Sequence, residues 1–310
     1  MVRHMLNLKD YSRGEILQIL DDALEIKANR EKYSDLLKGK NLLQIYQKTS
    51  TRTIVSFAFA MMELGGNHFY ISYEMTNFSI VDEEMEADCA SRYVDIIVAR
   101  YKKHKDLQIL AKGSQVPVIN GCDEKYHPCQ ALGDLLTMKE KFGNLENLKV
   151  IYVGIANNIS NPLSLAATKV GISFVLCSPE RDPGSLDDSL MRQVESSRNY
   201  SEEPDIKKAV KDADVIYTDT WINMEVFSDP KFEKEKERRI EKFMPYQINS
   251  EILKLAPNAL VMHNMPLHPG FEISKEVAYS KNSIIMDQAE NRKHVQKAVL
   301  PFLLNIKVKK

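Results

Sequence analysis

Thr49-Ser50-Thr51-Arg52-Thr53 places four hydroxyls and a guanidinium directly before an apolar run with helical character. Ser and Thr are common helix N-caps, because their oxygens satisfy the first free backbone N–H groups. The same residues also make a site for phosphate or another multiply charged oxyanion, since a helix N-terminus adds its own N–H groups and dipole to the guanidinium. On this stretch alone both readings stand. Further along come Arg100, His127-Pro128-Cys129-Gln130, Asn157-Asn158, Asp219-Thr220-Trp221 and His263-Asn264-Met265-Pro266, each close behind a short apolar segment. Taken singly, these also have plainer readings. His127 and Asp219 would serve as helix caps, Arg100 as a surface ion-pair partner, and Asn157-Asn158 as loop residues that tolerate a left-handed turn.

The elements that must position these groups alternate. Ser12-Arg13-Gly14-Glu15 is a capping-box pattern followed by Ile16, Leu17, Leu20 and Leu24, which predicts a helix from about Arg13 to Lys27. "NLLQIYQ" reads as a strand running into a helix from Thr53 to Leu64, which Gly65-Gly66 ends. "NHFYIS", "YVDIIVAR" and "VPVING" read as three more strands, and "HPCQALGDLLTMKEKFG" as a helix with Pro128 in its first turn. Beyond it, "LKVIYVGIANN", "SFVLCSP", "DADVIYTDTW", "ALVMHNMP" and "SIIMDQ" read as strands, with a helix from about Pro162 to Val170 and an amphipathic closing helix from Asn291 to Leu304. The charged run "DPKFEKEKERRIEKF" reads as a solvated helix or excursion. Short buried strands alternating with helices predict an α/β protein of two doubly wound parallel-sheet domains with interdomain helices. The expected boundaries are 1–140, 141–290, and a C-terminal helix, 291–310, packing back on the first domain. In open α/β sheets ligands bind beyond the carboxyl ends of the strands, where every group named above falls.

Composition narrows the function classes. At 310 residues and 44% hydrophobic, the chain can bury a large core, and its 42 basic residues are balanced by 43 acidic ones, a net charge of −1. That balance gives no footprint for nucleic acid or an anionic membrane. Cys89, Cys122, Cys129 and Cys177 form no CxxC pair and no zinc-like spacing, which predicts free thiols and no metal. "MVRHMLNLKDYSRGEI" lacks the apolar stretch of a signal peptide, so a cytoplasmic chain is expected. The segment after "VIYVGIANN" has no GxGxxG fingerprint, and no GxxxxGK[ST] occurs.

In this order, Ser50-Thr51-Arg52-Thr53, Arg100 with Lys103-His104, His127-Pro128-Cys129-Gln130, Asn157-Asn158, Asp219-Thr220-Trp221 and Glu290-Asn291-Arg292 resemble the aspartate/ornithine carbamoyltransferase family, more closely its ornithine branch. The resemblance covers essentially the whole chain. It implies that Ser50, Thr51, Arg52, Thr53, Arg100, His127, Gln130 and Arg292 bind carbamoyl phosphate, with Arg52, Arg100 and His127 catalytic. It further implies that Asn158, Asp219, Asn223, Met224, Asn264 and Met265 face the amine acceptor, and that the assembly is a homotrimer. The residue types suit that chemistry. The leaving phosphate needs N–H, hydroxyl and guanidinium donors. The carbonyl oxygen gains charge in the tetrahedral transition state, so donors must already point at it; Arg100, His127 and the Thr53 hydroxyl are that set, with Gln130 orienting the carbamoyl NH₂. Phosphate is already a good leaving group, so no metal or organic cofactor is expected.

Departures from the family pattern fall mostly on the acceptor side. Ile54 stands where a second arginine is usual, and "MTNFSIVDEEMEADCASRYVD" lacks the family's motif before Arg100. Asn223-Met224-Glu225 stands where the ornithine branch has Ser-Met-Gly. Asn264 replaces a cysteine, and Pro269 an arginine. The expected activity is transfer of the carbamoyl group to L-ornithine. The alternatives are a different amine (putrescine, lysine or oxamate) or a non-catalytic relative that binds carbamoyl phosphate.

Overall fold

The computed structural model describes residues 2–222 and 230–309. The chain divides into two compact units, one of Met1–Lys141 with Glu290–Lys310, the other of Phe142–Ala289.

In the first unit, helix α1 (Arg13–Ala28) starts on the capping box: Ser12 Oγ accepts from the Glu15 N–H while Glu15 accepts from the Ser12 N–H. Four parallel strands follow, β1 (Asn41–Tyr46), β2 (Asn67–Ser72), β3 (Ile96–Arg100) and β4 (Val118–Asn120), in the order β2-β1-β3-β4. The order in which strands are added therefore reverses between the parallel neighbours β1 and β3, the switch point at which an open sheet opens a crevice. The register pairs Tyr46 with Arg100 there, and the Gln47 N–H donates to the Arg100 carbonyl at 2.9 Å. The hydroxyl cluster and Arg100 thus leave the sheet side by side. Helix α2 (Thr51–Met62) begins inside that cluster, and α3 (Glu83–Ser91), α4 (His104–Gly113) and α5 (Pro128–Phe142) complete the run.

The turn from β4 into α5 is tightly tied. Asp123 Oδ1 accepts from the N–H groups of Lys125 and Tyr126, and Asp123 Oδ2 meets Asn120 Nδ2 at 2.8 Å and His104 Nδ1 at 2.6 Å. Gly121 lies so close to β3 that a Cβ there would stand 3.3 Å from both the Ala99 oxygen and Arg100 Cβ. A side chain at that position would push Arg100 aside.

The second unit holds five parallel strands, β5 (Lys149–Val153), β6 (Ser173–Cys177), β7 (Tyr200–Glu202), β8 (Val215–Thr218) and β9 (Leu260–His263), in the order β7-β6-β5-β8-β9. Both faces are covered, which is why the strands read as unbroken apolar runs. Ile151, Val153, Ile216 and Val261 enter one core cluster. On alternate residues, Tyr217, Tyr152, Phe174 and Tyr200 stack across four neighbouring strands at 5.4–6.4 Å between ring centroids. The switch point lies between β5 and β8, where Val153 pairs with Thr218. Gly154 follows with φ +128°, and a Cβ on it would sit 3.5 Å from Trp221 Nε1. Helix α6 (Ser160–Lys169) starts just beyond Asn157-Asn158.

The structure corrects two of the sequence expectations. "SIIMDQ" is not a strand: Ser283 makes one isolated bridge to Val261, and a helix runs from Ile285 to Leu303. An apolar run this short has no period of its own, and the amphipathic pattern after it extends back to include it. Edge strand β7 gave no apolar signal, because two of its three residues are exposed polar groups, Ser201 and Glu202. The charged run does contain a helix, Glu233–Phe243, with Phe243 buried against Trp221 at 5.8 Å.

Candidate active site

At the first switch point Ser50 caps α2. Its Oγ accepts from the Thr53 N–H at 3.3 Å and lies 2.9 Å from Thr53 Oγ1. Thr53 is buried, and its hydroxyl also accepts from Arg292 Nη2 at 2.8 Å, which brings the closing helix to the cluster. Thr51 and Arg52 are exposed at the start of α2. Arg100 Nη1 donates to the Gly121 carbonyl at 3.2 Å. His127 is buried and ends the tied turn, with its carbonyl accepting from the Gln130 N–H. The structure therefore gathers Ser50, Thr53, Arg100, His127, Gln130 and Arg292 in one unit.

The electrostatics of the group are lopsided. Arg292 is buried, and burial together with the fields of Arg100 and Arg52 lowers its pKa to about 10. Burial and then Arg292, Arg100 and Arg52 hold the His127 imidazole well below its ordinary value. Among the described residues neither Arg100 nor Arg292 has a carboxylate partner, and Arg100 Nε, Arg292 Nε and His127 Nδ1 are buried without a hydrogen-bond partner. Buried charges and donors are normally paired, because leaving them unpaired costs several kcal/mol. A cluster of cations and unused donors of this kind matches a small dianion. Cys129, two residues after His127, is buried, and burial pushes its thiol up to about 12.

At the second switch point the balance is reversed. Asp219, just past β8, is buried; its Oδ2 accepts from Asn157 Nδ2 at 2.9 Å while its Oδ1 has no partner. Burial raises its pKa. Asn157 is a clamp, since its Oδ1 accepts from the Tyr152 hydroxyl and the Ile159 N–H. Asn158 beside it is half-buried. Beyond β9, His263 Nδ1 accepts from the Met265 N–H at 2.8 Å, which leaves Nε2–H to donate to Glu272 Oε1 at 3.0 Å. Met265 has φ +62° and precedes a cis proline, and Asn264 Oδ1 is buried without a partner. Asn223 and Met224 lie outside the described residues, as does Glu225.

Four site contributors escaped the sequence reading. Asp134 hydrogen-bonds Gln130 from one turn further along α5, a spacing (i, i+4) that was available as a signal. Glu272, His268 and Thr220 join the β8 and β9 loops: Glu272 Oε1 accepts from the His268 N–H, and His268 Nδ1 lies 3.1 Å from Thr220 Oγ1. No local pattern announces that link, because its members are 48 residues apart.

A family model described as aspartate/ornithine carbamoyltransferase, carbamoyl-P binding domain, matches residues 3–140, and its Asp/Orn binding domain companion matches 146–303. The chain is 43% identical to the ornithine carbamoyltransferase of Pyrococcus abyssi, over 97% of this chain and 96% of that protein. It is 38% identical to the ornithine carbamoyltransferase of Methanocaldococcus jannaschii, over 98% of this chain and all of the relative. The solved ornithine carbamoyltransferase of Pyrococcus furiosus superposes with a TM-score of 0.89 at 40% identity, covering 99% of this chain and 98% of that one. The ornithine transcarbamoylase of Giardia lamblia does so with a TM-score of 0.87 at 28% identity, covering 99% of this chain and 100% of that one.

Proposed function

The chain belongs to the aspartate/ornithine carbamoyltransferase family, and we infer from that membership that it transfers the carbamoyl group of carbamoyl phosphate to the side-chain amine of L-ornithine, giving L-citrulline and phosphate. The observation that carries the reading is that Arg100 Nε, Arg292 Nε and His127 Nδ1 are buried with no hydrogen-bond partner in one cationic cluster, to whose field Arg52 also contributes.

On this reading the unit of 1–141 and 290–310 holds the donor and the unit of 142–289 the acceptor. The phosphate lies at the N-terminus of α2 and takes hydrogen bonds from Ser50, Thr51, Arg52 and Thr53. Arg100, His127 and the Thr53 hydroxyl receive the carbonyl oxygen. His127 acts as a neutral donor, because burial and then the neighbouring guanidiniums keep it from taking a proton. Gln130 Oε1 accepts from the carbamoyl NH₂. The unprotonated side-chain nitrogen of ornithine attacks the carbonyl carbon, and charge builds on an oxygen already faced by donors. The carbon–oxygen bond to phosphate then breaks, and the amine's proton leaves with the phosphate. Asp219, whose Oδ1 is unpartnered, accepts from an amine of the acceptor, and Asn158, Asn264 and Met265 are the further acceptor-side residues of this proposal.

Two further features belong to the proposal. Val55, Phe59 and Met62 are exposed on one face of α2, and Phe69 is exposed on edge strand β2, which supports assembly as a homotrimer. None of the four cysteines forms a disulfide, which supports a cytoplasmic setting. Among the described residues no helix is long and apolar enough to cross a membrane.

Phosphate release measured with ornithine, lysine, putrescine, oxamate and aspartate tests the activity. Ornithine should give the fastest release, and a flat trace with every amine overturns it. Light scattering at assay concentration tests the trimer, and a monomer mass overturns that part alone.

A further inference from the structure

Gln130 and Asp134 lie one turn apart on α5, at 1% and 0% exposure. Gln130 Nε2 donates to Asp134 Oδ1 at 2.8 Å, while Gln130 Oε1 is buried and has no partner among the described residues. A glutamine amide is nearly symmetric in shape, so only its partners decide which end faces which way. A carboxylate oxygen accepts and does not donate, so it holds the NH₂ end. The carbonyl end is then turned the other way, from the same helix that carries His127 at its entry. An exposed glutamine would satisfy both ends with water; here one end is committed and the other kept in reserve.

We propose that Asp134 is a positioning residue that fixes Gln130 with its carbonyl oxygen toward the transferred group, so that the site selects a donor whose acyl carbon bears NH₂ over one that bears CH₃. The inference rests on the carbamoyl phosphate reading and adds to it the source of discrimination against acyl phosphates of the same shape. With an NH₂ in place, Oε1 gains its missing donor. With a methyl in place, a buried acceptor stays unpaired, which costs roughly 10- to 100-fold in affinity.

Calorimetry with two stable phosphonates tests this. Phosphonoacetamide carries the NH₂–C=O group, and 2-oxopropylphosphonate carries CH₃–C=O in the same shape. The wild-type protein should bind the amide roughly 10- to 100-fold more tightly. Asp134→Leu keeps the branched shape but removes the acceptor and so releases the Gln130 NH₂, which should bring the ratio of the two affinities close to that of Gln130→Met. Asp134→Asn can still accept from Gln130 and should keep the ratio within about threefold of wild type, since the added freedom to flip costs only about a factor of two. In a Gln130→Met background, Asp134→Leu should leave the ratio where it is. A purely structural role would weaken both ligands in parallel, and an unchanged ratio in Asp134→Leu overturns the proposal. So does a further drop in the double variant, which would mean that Asp134 acts through another group. If Asp134→Leu does not fold, Asp134→Ala carries the same comparison. Failure of the wild type to bind either phosphonate would count against the donor site itself, a different result from an unchanged ratio.

Discussion

Arg52, Arg100 and Arg292 surround one imidazole in the first unit, whereas Asp219 and Glu272 flank another in the second. Both units bury polar groups at the switch point of a parallel sheet, with opposite signs. In the first, burial and then the crowding of positive charges keep His127 neutral and lower Arg292. In the second, Asp219 is raised because burial penalises its charge. On the function proposed above, each imbalance is met by a ligand of the opposite charge, a phosphate dianion in one case and an amine in the other. The sheet geometry is shared, so the sign of the last buried charge separates the donor side from the acceptor side. Each side then has variants that should damage it alone.

The largest effect should come from Arg100. Arg100→Ala removes a preorganised donor from the carbonyl oxygen, and kcat should fall about 10²- to 10³-fold. Steady-state kinetics with ornithine saturating checks this, and a loss confined to KM would show that Arg100 only binds. Next comes Asp219. Asp219→Asn keeps an acceptor for Asn157 Nδ2 but removes the charge that meets the amine. The KM for ornithine should rise about 10- to 100-fold, with the KM for carbamoyl phosphate unchanged. The same variant should melt at a higher temperature, because a buried carboxylate destabilises the folded state at neutral pH; its folded pKa is raised, so stability falls as pH rises past the unfolded value. A lower Tm would mean that Asp219 supports the fold. Arg52→Ala is the mirror case on the donor side. Arg52 is exposed, so solvent screens it, and its loss should weaken carbamoyl phosphate by about 10-fold or less while leaving the ornithine KM alone.

The donor side was legible because its groups are local. Ser50 to Thr53 form one helix entry, and His127 to Gln130 form another. Arg100 could be placed because it ends a buried strand. The register that sets Tyr46 beside Arg100, and the contact that brings Arg292 to Thr53, are separated by 54 and 239 residues, and only folding joins them. The acceptor side was harder to read for the same reason: Thr220, His268 and Glu272 act through contacts between loops that follow different strands. Of the strands, β1 and β2 stood out and β7 did not, because two of the three residues of β7 are exposed polar groups and form no apolar run. "SIIMDQ" was misread because six apolar-rich residues fit either period until the following helix is seen to include them.

The smallest expected effect concerns His127, and its sign follows from burial and then from the cations beside it. In the unfolded chain the imidazole takes a proton near pH 6.5. In the folded protein, burial and three guanidiniums keep it neutral well below that. Above pH 6.5 both states are neutral and His127 adds nothing to the pH dependence. As pH falls below 6.5 the unfolded state gains a proton that the folded state refuses, so stability drops until the folded pKa is reached. His4, His268 and His294 are also lowered by burial, His294 to about 4, so the acid loss is shared. His127→Asn should remove one proton's share of it, up to about 1.4 kcal/mol per pH unit between roughly pH 6.5 and 5. Urea unfolding at several pH values measures the slope. A variant curve parallel to the wild type would mean that neither burial nor the guanidiniums hold the imidazole down, and the contrast between the two units would then lose its positive half.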